Sequence, residues 1–277
     1  MPTKTLMHKD DPVVTMRITP SSAIEEVLKI HNPELLPENN GDPKISLERW
    51  LLHRNICQTR KDIDEYIKFY GGRMFRSVTM RSLFDTYWIR SSAQTEDWEA
   101  INAFDNWDPD DDDILLSMFA PDDFEGPRFD SPNLTIPGTQ PRLWCKTKDY
   151  PLGLINLNAQ EAMHGYMLAK ENGITIVNPK TYIIFGRRIY TYEPATTSKN
   201  IEQLPFDSLY NRTAEEGLSN QENLQKCCET FKIPGWKEFF NQLLDYDMLC
   251  GKEDRTLFDI KILRDTETLK ILGFDKL

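Results

Sequence analysis

Residues 234–277 constrain the fold more than any other stretch of this 277-residue chain. Trp236, Phe239, Phe240, Leu243, Leu244, Met248 and Leu249 recur at spacings of three and four, which predicts a helix that buries one apolar stripe. Pro234 suits its opening and Gly251 its close. Lys252, Glu253, Asp254 and Arg255 follow directly, then the alternating Phe258, Ile260 and Ile262, a turn over Asp265, Thr266, Glu267 and Thr268, and an apolar run at 269–272. That second half predicts a hairpin. The chain therefore passes from a helix that needs a partner, through a charged loop, into a sheet.

Two readings of the loop stand side by side. One is a solvated charged turn. The other is a phosphotransfer loop, in which an Asp handles the proton of the accepting hydroxyl and a residue about five positions on holds a metal. Asp254 and Asp259 have that spacing, and beyond the hairpin only Asp275 is left to supply a second metal ligand.

Composition narrows the class. No apolar run reaches the roughly 18 residues of a membrane span, and the first twenty residues are too polar for a secretory signal, so no membrane association and a cytoplasmic protein are expected. Five cysteines without a C-x-x-C pair and four histidines without H-x-x-x-H spacing argue against a disulfide framework and a zinc or histidine metal site. A net charge of −11 makes direct nucleic-acid binding through the overall field a poor expectation. Asp108, Asp110 and Asp112 have D-x-D-x-D spacing, but no Gly follows and no Glu stands at the twelfth position, so a calcium loop is rejected. These acids fit the first turn of a helix better.

Along the chain, 5–7 and 13–18 read as two strands of a hairpin, AIEEVLKI is ambiguous, and 31–43 reads as a loop. Ser46 and Thr59 mark two helix starts, with Asp62 completing a capping box and Gly71-Gly72 ending the second helix. Tyr87 and Trp88 are expected in core or interlobe packing rather than as a ligand platform. Gly138 in SPNLTIPGTQPRLW either lets backbone amides approach an anion or makes a Pro/Gly turn. Asn158 caps a helix closed by Gly173, in which Glu161 serves either the capping box or an ion pair with a strand lysine. Strands are expected at 174–177, 182–185 and 188–192, and a polar connection from 193 to 213. Ser219 with Glu222 starts the last helix before Pro234.

The wording KEDRTLFDIKILRD resembles the N-x-D-R-H-x-x-N-x-G-x-L-x-D segment of HipA-like serine/threonine kinases. Lys252, Thr256, Asp259 and the Ile260-Lys261 pair depart from it, while Asp254 and Arg255 remain. LMHKDDPV, NPELLPEN, ERWLLHRNI, SLFDTYWIR, WEAINAFDNW and DSPNLTIPG resemble a mostly bacterial subgroup in the same order, and residues 138–142 resemble the family's G-x-Q-P-K phosphate loop.

The resemblance implies an α+β, kinase-like bilobal fold. Its parts would be an N-terminal helical subdomain (1–130), a sheet-rich upper lobe (131–210) and an abbreviated lower lobe (211–277). It implies ATP- and magnesium-dependent transfer to serine or threonine. In that scheme Asp254 is the base with Arg255 beside it, and Glu161 orients Lys146 or Lys148. Gly138, Gln140 and Arg142 cover the phosphates, and Asp259 and Asp275 bind metal. It also implies a protein partner, either an antitoxin-like protein or a substrate protein. The same departures favour a rival of another class, a pseudokinase acting as an interaction module in a toxin-antitoxin or mobile-element system. With the sequence stopping at Leu277, Asp275 is expected to be loosely held and activity impaired.

Overall fold

A computed structural model describes residues 3–19, 23–37, 41–56, 59–64, 67, 79–112, 131–146, 148, 151–156, 159–176, 178–184, 188–253 and 255–276. The protein mixes helices with antiparallel sheets, an α+β fold. It divides into two units, residues 1–154 and 155–277.

The first unit is built on a four-stranded sheet. Strands β1 (Thr3–His8) and β2 (Asp11–Ile18) pair antiparallel, as the alternating apolar residues on either side of the polar turn require. The ambiguous AIEEVLKI is a strand, β3 (Ile24–Ile30), and β4 (Tyr87–Ser91) completes the order β3-β2-β1-β4. Helix α1 (Pro43–His53) starts three residues before Ser46. Asp42 accepts from the Lys44 amide and Pro43 fills the first turn, where a missing N–H costs nothing. Ser46 instead sits inside the helix, its hydroxyl donating to the Asp42 carbonyl. Half of the expected second helix, 59–72, lies outside the described residues.

Tyr87 and Trp88 are fully buried. Each spends its polar end on backbone, Tyr87 Oη donating to the Leu35 carbonyl at 2.7 Å and Trp88 Nε1 to the Lys9 carbonyl at 2.8 Å. Beside them the guanidinium of Arg54 grips both oxygens of buried Asp85 and donates to the Met80 carbonyl. Short helices α2 (Trp98–Ile101) and α3 (Ala103–Asn106) follow, with Trp98, Met7 and Trp88 in one cluster. The acids at 108–112 form a single 3-10 turn, Pro109–Asp111, capped by Asp108. Asp112 is buried and accepts from Trp107 Nε1 and the Ser131 hydroxyl. The helix expected after it lies outside the described residues. Strand β5 (Arg142–Cys145) follows a capped 3-10 turn at Pro132–Thr135, and β6 (Gly153–Asn156) spans the boundary between the units.

In the second unit, helix α4 (Ala159–Glu171) ends where predicted. Gly173 is left-handed (φ 71°), and the Ile174 amide reaches back to the Ala169 carbonyl at 2.9 Å. Ile174 is thus consumed in closing the helix, and the described part of the strand expected at 174–177, residues 174–176, is not in a strand. Strands β7 (Lys180–Ile184) and β8 (Arg188–Pro194) pair antiparallel. Where a polar connection was expected lie strand β9 (Ile201–Pro205) and helix α5 (Asp207–Thr213). Helix α6 (Asn220–Thr230) has the full capping box of Ser219 and Glu222, and α7 (Trp236–Cys250) ends at left-handed Gly251.

The terminal hairpin is β10 (Lys261–Asp265) with β11 (Ile271–Phe274), and β9 adds to it in the order β11-β10-β9. Phe274 stacks on Phe239 at 4.2 Å and meets Phe206 and Phe240 at 5.3 and 5.1 Å. This aromatic cluster fastens the sheet to α7, and fully burying one such ring is worth about 2–3 kcal/mol. Helix α7 buries only that side: Leu243 is buried, while Leu244 and Met248 are 67% and 78% exposed.

Candidate functional site

The charged loop after α7 is built by that helix's own last turn. Asp247 stands where the helix dipole opposes negative charge, and the last turn carries no basic residue. Its carboxylate is answered from outside the helix. Arg255 donates from Nε to Oδ2 at 2.6 Å and from Nη2 to Oδ1 at 2.7 Å, a planar two-point grip. The carbonyl of Asp247 meanwhile accepts from the Lys252 amide at 2.9 Å. One residue thus ties both ends of the loop. Burial pulls the Arg255 pKa down, but the hydrogen bonds and charge of Asp247, with Asp259 nearby, outweigh it and leave the guanidinium above its ordinary value.

Asp259 turns back on its own loop. Its Oδ2 accepts from both the amide and the hydroxyl of Thr256, each at 2.8 Å, and its amide donates to the Thr256 carbonyl at 3.0 Å. The next cation, Lys261, donates to the Phe258 carbonyl at 2.6 Å and lies 4.1 Å over that ring. Asp254 lies outside the described residues.

Asp275 is held firmly, contrary to the expectation of a loose end. Its Oδ2 accepts from Gln203 Nε2 and from the Thr196 hydroxyl at 3.1 Å, its Oδ1 from the Lys276 amide at 2.9 Å. Its own amide donates to the Lys261 carbonyl at 2.8 Å. Of the two carboxylates expected to bind magnesium, Asp259 has an Oδ1 with no hydrogen-bond donor among the described residues. Asp275 fits a cation only by sharing oxygens that three protein donors already use. Among the described residues no group of three or more His, Cys, Asp or Glu side chains is placed to hold a metal.

The phosphate-loop residues lie in the first unit. Gly138 is exposed and left-handed (φ 97°), and a Cβ there would meet nothing within 4 Å. The turn therefore demands glycine for its backbone angle alone. The loop is tied down at both ends: the Thr139 carbonyl accepts from the Lys61 amide at 3.0 Å, and the Arg142 carbonyl from buried Arg60 at 2.6 Å. Gln140 is half-buried, and Arg142, Lys146 and Lys148 are exposed. Glu161 lies in the first turn of α4, and its side chain is outside the described residues. The structure thus brings Arg255 and Asp259 together on one loop and groups 138–148 along one stretch.

Sequence reasoning passed over Asp247, Gln203 and Thr196. Asp247 carried a usable signal, since an acid in the last turn of a helix is unfavourable without a cation to meet it. Gln203 and Thr196 carried none, because their roles depend on β9 pairing with β10.

No family model matches this chain, and no curated protein matches it. Among the described residues, no helix is long and apolar enough to cross a membrane.

Proposed function

We propose that this chain is a HipA-like, kinase-fold protein in which ATP- and magnesium-dependent transfer to serine or threonine is impaired. The observation that carries the reading is the loop from Asp247 to Asp259. Its arginine is fixed by a two-point carboxylate grip, and Asp259 follows at the metal-ligand spacing, its Oδ1 without a hydrogen-bond donor among the described residues. Magnesium would supply neutralisation of phosphate charge. The chain's own part in this scheme is Asp254 as the base, with Arg255 next to it in sequence. Impairment follows from Asp259 closing on Thr256 and from Asp275 having its oxygens engaged by Gln203, Thr196 and Lys276.

The same Asp259–Thr256 closure favours a second reading, a pseudokinase that binds an antitoxin-like or substrate protein without turnover. Thr256 and Asp259 replace the family's His and Asn, and together they make a self-contained turn.

Two measurements separate the readings. Thermal unfolding of the purified chain is followed with ATP, with and without magnesium; ligand at about 100 times its Kd adds about 2.7 kcal/mol. A phosphotransfer assay on the wild type and Asp254→Asn accompanies it. Impaired kinase predicts a magnesium-dependent shift with slow transfer that the variant abolishes. A shift without transfer selects the pseudokinase. No shift at any nucleotide concentration rejects the nucleotide-binding reading, and fast turnover rejects impairment.

A further inference from the structure

One polar row crosses the sheet of the first unit and plays no part in the reading above. Antiparallel register sets Thr15 opposite Lys29, Thr5 opposite Thr15, and Arg90 opposite Thr5, so the four side chains share one face. The row runs across all four strands, about 14 Å. Thr5, Thr15 and Arg90 are half-buried, and Lys29 is exposed.

The row is wired by hydrogen bonds. Thr15 Oγ1 lies 2.8 Å from His31 Nε2 and 3.3 Å from Thr5 Oγ1. With Nε2 protonated, the proton order runs His31 to Thr15 to Thr5 and leaves the Thr5 hydroxyl hydrogen to donate outward. Directly across the strand pair, the Arg90 side chain makes no hydrogen bond or ion pair among the described residues, and neither does that of Lys29. The neighbouring row differs. There Arg17, opposite Thr3, is neutralised by Glu26 at 2.6 Å and has Glu25 at 4.0 Å. In that proton order the row through Thr5 carries the positive charge of Arg90 and Lys29 and one hydroxyl proton left to donate.

We infer that Thr5, Thr15, His31 and Arg90 form an oxyanion site for a phosphate group. A hydroxyl donor beside an unpaired guanidinium is the donor set that a tetrahedral anion accepts, with separate oxygens for the guanidinium fork and for the hydroxyl. Lys29, at the far end of the row, adds long-range attraction. A phosphate bound there selects the proton order in which His31 donates, so the His31 ring and the anion report on each other. The site lies within the first unit and uses none of the residues assigned to phosphotransfer.

The test is a two-dimensional amide NMR titration of the 277-residue chain with inorganic phosphate, repeated with acetate. Saturable shifts centred on Thr5, Thr15 and Arg90 are expected. Arg90→Gln should weaken phosphate roughly tenfold or more, the usual cost of losing a charged hydrogen-bond donor. Thr5→Val, which keeps the shape and removes the proton, should weaken it several-fold. If Arg90→Gln fails to fold, the wild-type shift map and Thr5→Val decide. Shifts scattered over surface lysines without saturation, or binding untouched by Thr5→Val, overturn the site. Acetate binding as tightly as phosphate overturns the assignment to phosphate.

Discussion

Glu202 and Arg264 face each other across β9 and β10, both fully desolvated, with Arg264 Nε donating to Glu202 Oε1 at 2.7 Å and Nη2 at 2.6 Å. Glu202 is completely buried and Arg264 is 3% exposed. Removing one member strands the other charge in the core. Glu202→Ala should therefore destabilise the protein by about 3–5 kcal/mol, whereas Glu202→Leu with Arg264→Met should cost far less. Urea unfolding of the three chains checks this; equal losses in the single and double variants would show that the pair is not electrostatically coupled.

The grip of Asp247 on Arg255 is partly solvated, with the side chains 14% and 22% exposed. Asp247→Ala removes a hydrogen-bonded partner from a half-buried guanidinium and should cost about 1–3 kcal/mol. A double-mutant cycle with Arg255→Ala isolates the pair. Additive losses within about 0.5 kcal/mol would mean that the two residues act independently.

Helices α4 and α7 approach closely at a glycine. A Cβ on Gly165 would lie 2.7 Å from Tyr246 Oη, with the next ring atom at 3.8 Å. Alanine gains about 1 kcal/mol over glycine inside a helix, but here the hydroxyl stands in the way. Gly165→Ala should therefore be neutral or destabilising in the wild type and stabilising by up to about 1 kcal/mol in a Tyr246→Phe background. Thermal unfolding of the four chains reads the sign, and stabilisation in both backgrounds would contradict the contact.

Burial pushes the thiols of Cys227 and Cys228 up to about 11 and about 12, and the phenol of Tyr246 up to about 12, where Cys250 adds to burial. In each case the folded state holds its proton more tightly than the unfolded chain, whose thiols ionise from near 9 and phenol from near 10. The stabilisation is complete below pH 9 and is lost as pH rises through 11 and 12. The denaturant midpoint should accordingly fall between pH 9 and 11, with a shallower fall in Cys228→Ala. A flat profile across that window would contradict the burial of these groups.

Legibility from sequence followed how local the determining physics was. The β1–β2 hairpin, the buried Tyr87 and Trp88, the helix ending at Gly173 and the capping box at Ser219 all rest on neighbouring residues, and all were readable. The start of α1 was misplaced because Ser46 looks like a cap, while Asp42, followed by Pro43, supplies a better one four residues earlier. Strand β9 was missed because IEQLP has two aliphatic residues and a glutamate that is buried against Arg264. The same long-range pairing shifted the terminal hairpin. Apolar alternation at Phe258, Ile260 and Ile262 suggested an earlier strand, but β10 begins at Lys261 and points Ile262 and Arg264 inward. For the candidate site, the spacing of Asp254 and Asp259 is a sequence feature and the Asp247 partner of Arg255 lies only one helix turn before the loop, whereas Gln203 and Thr196, which hold Asp275, come from far away in the chain.

The buried pair also acts as a register lock. Strand β9 has only five residues, and its apolar content alone would tolerate sliding along β10. A slip of one residue would set Glu202 against Leu263 or Asp265 and turn Arg264 toward the opposite face, since side chains alternate along a strand. Each misaligned state would bury one unpaired charge or face two carboxylates together, at a cost of several kcal/mol. The correct alignment is thus enforced by the penalty on its neighbours, and that alignment is what brings Gln203 within reach of Asp275.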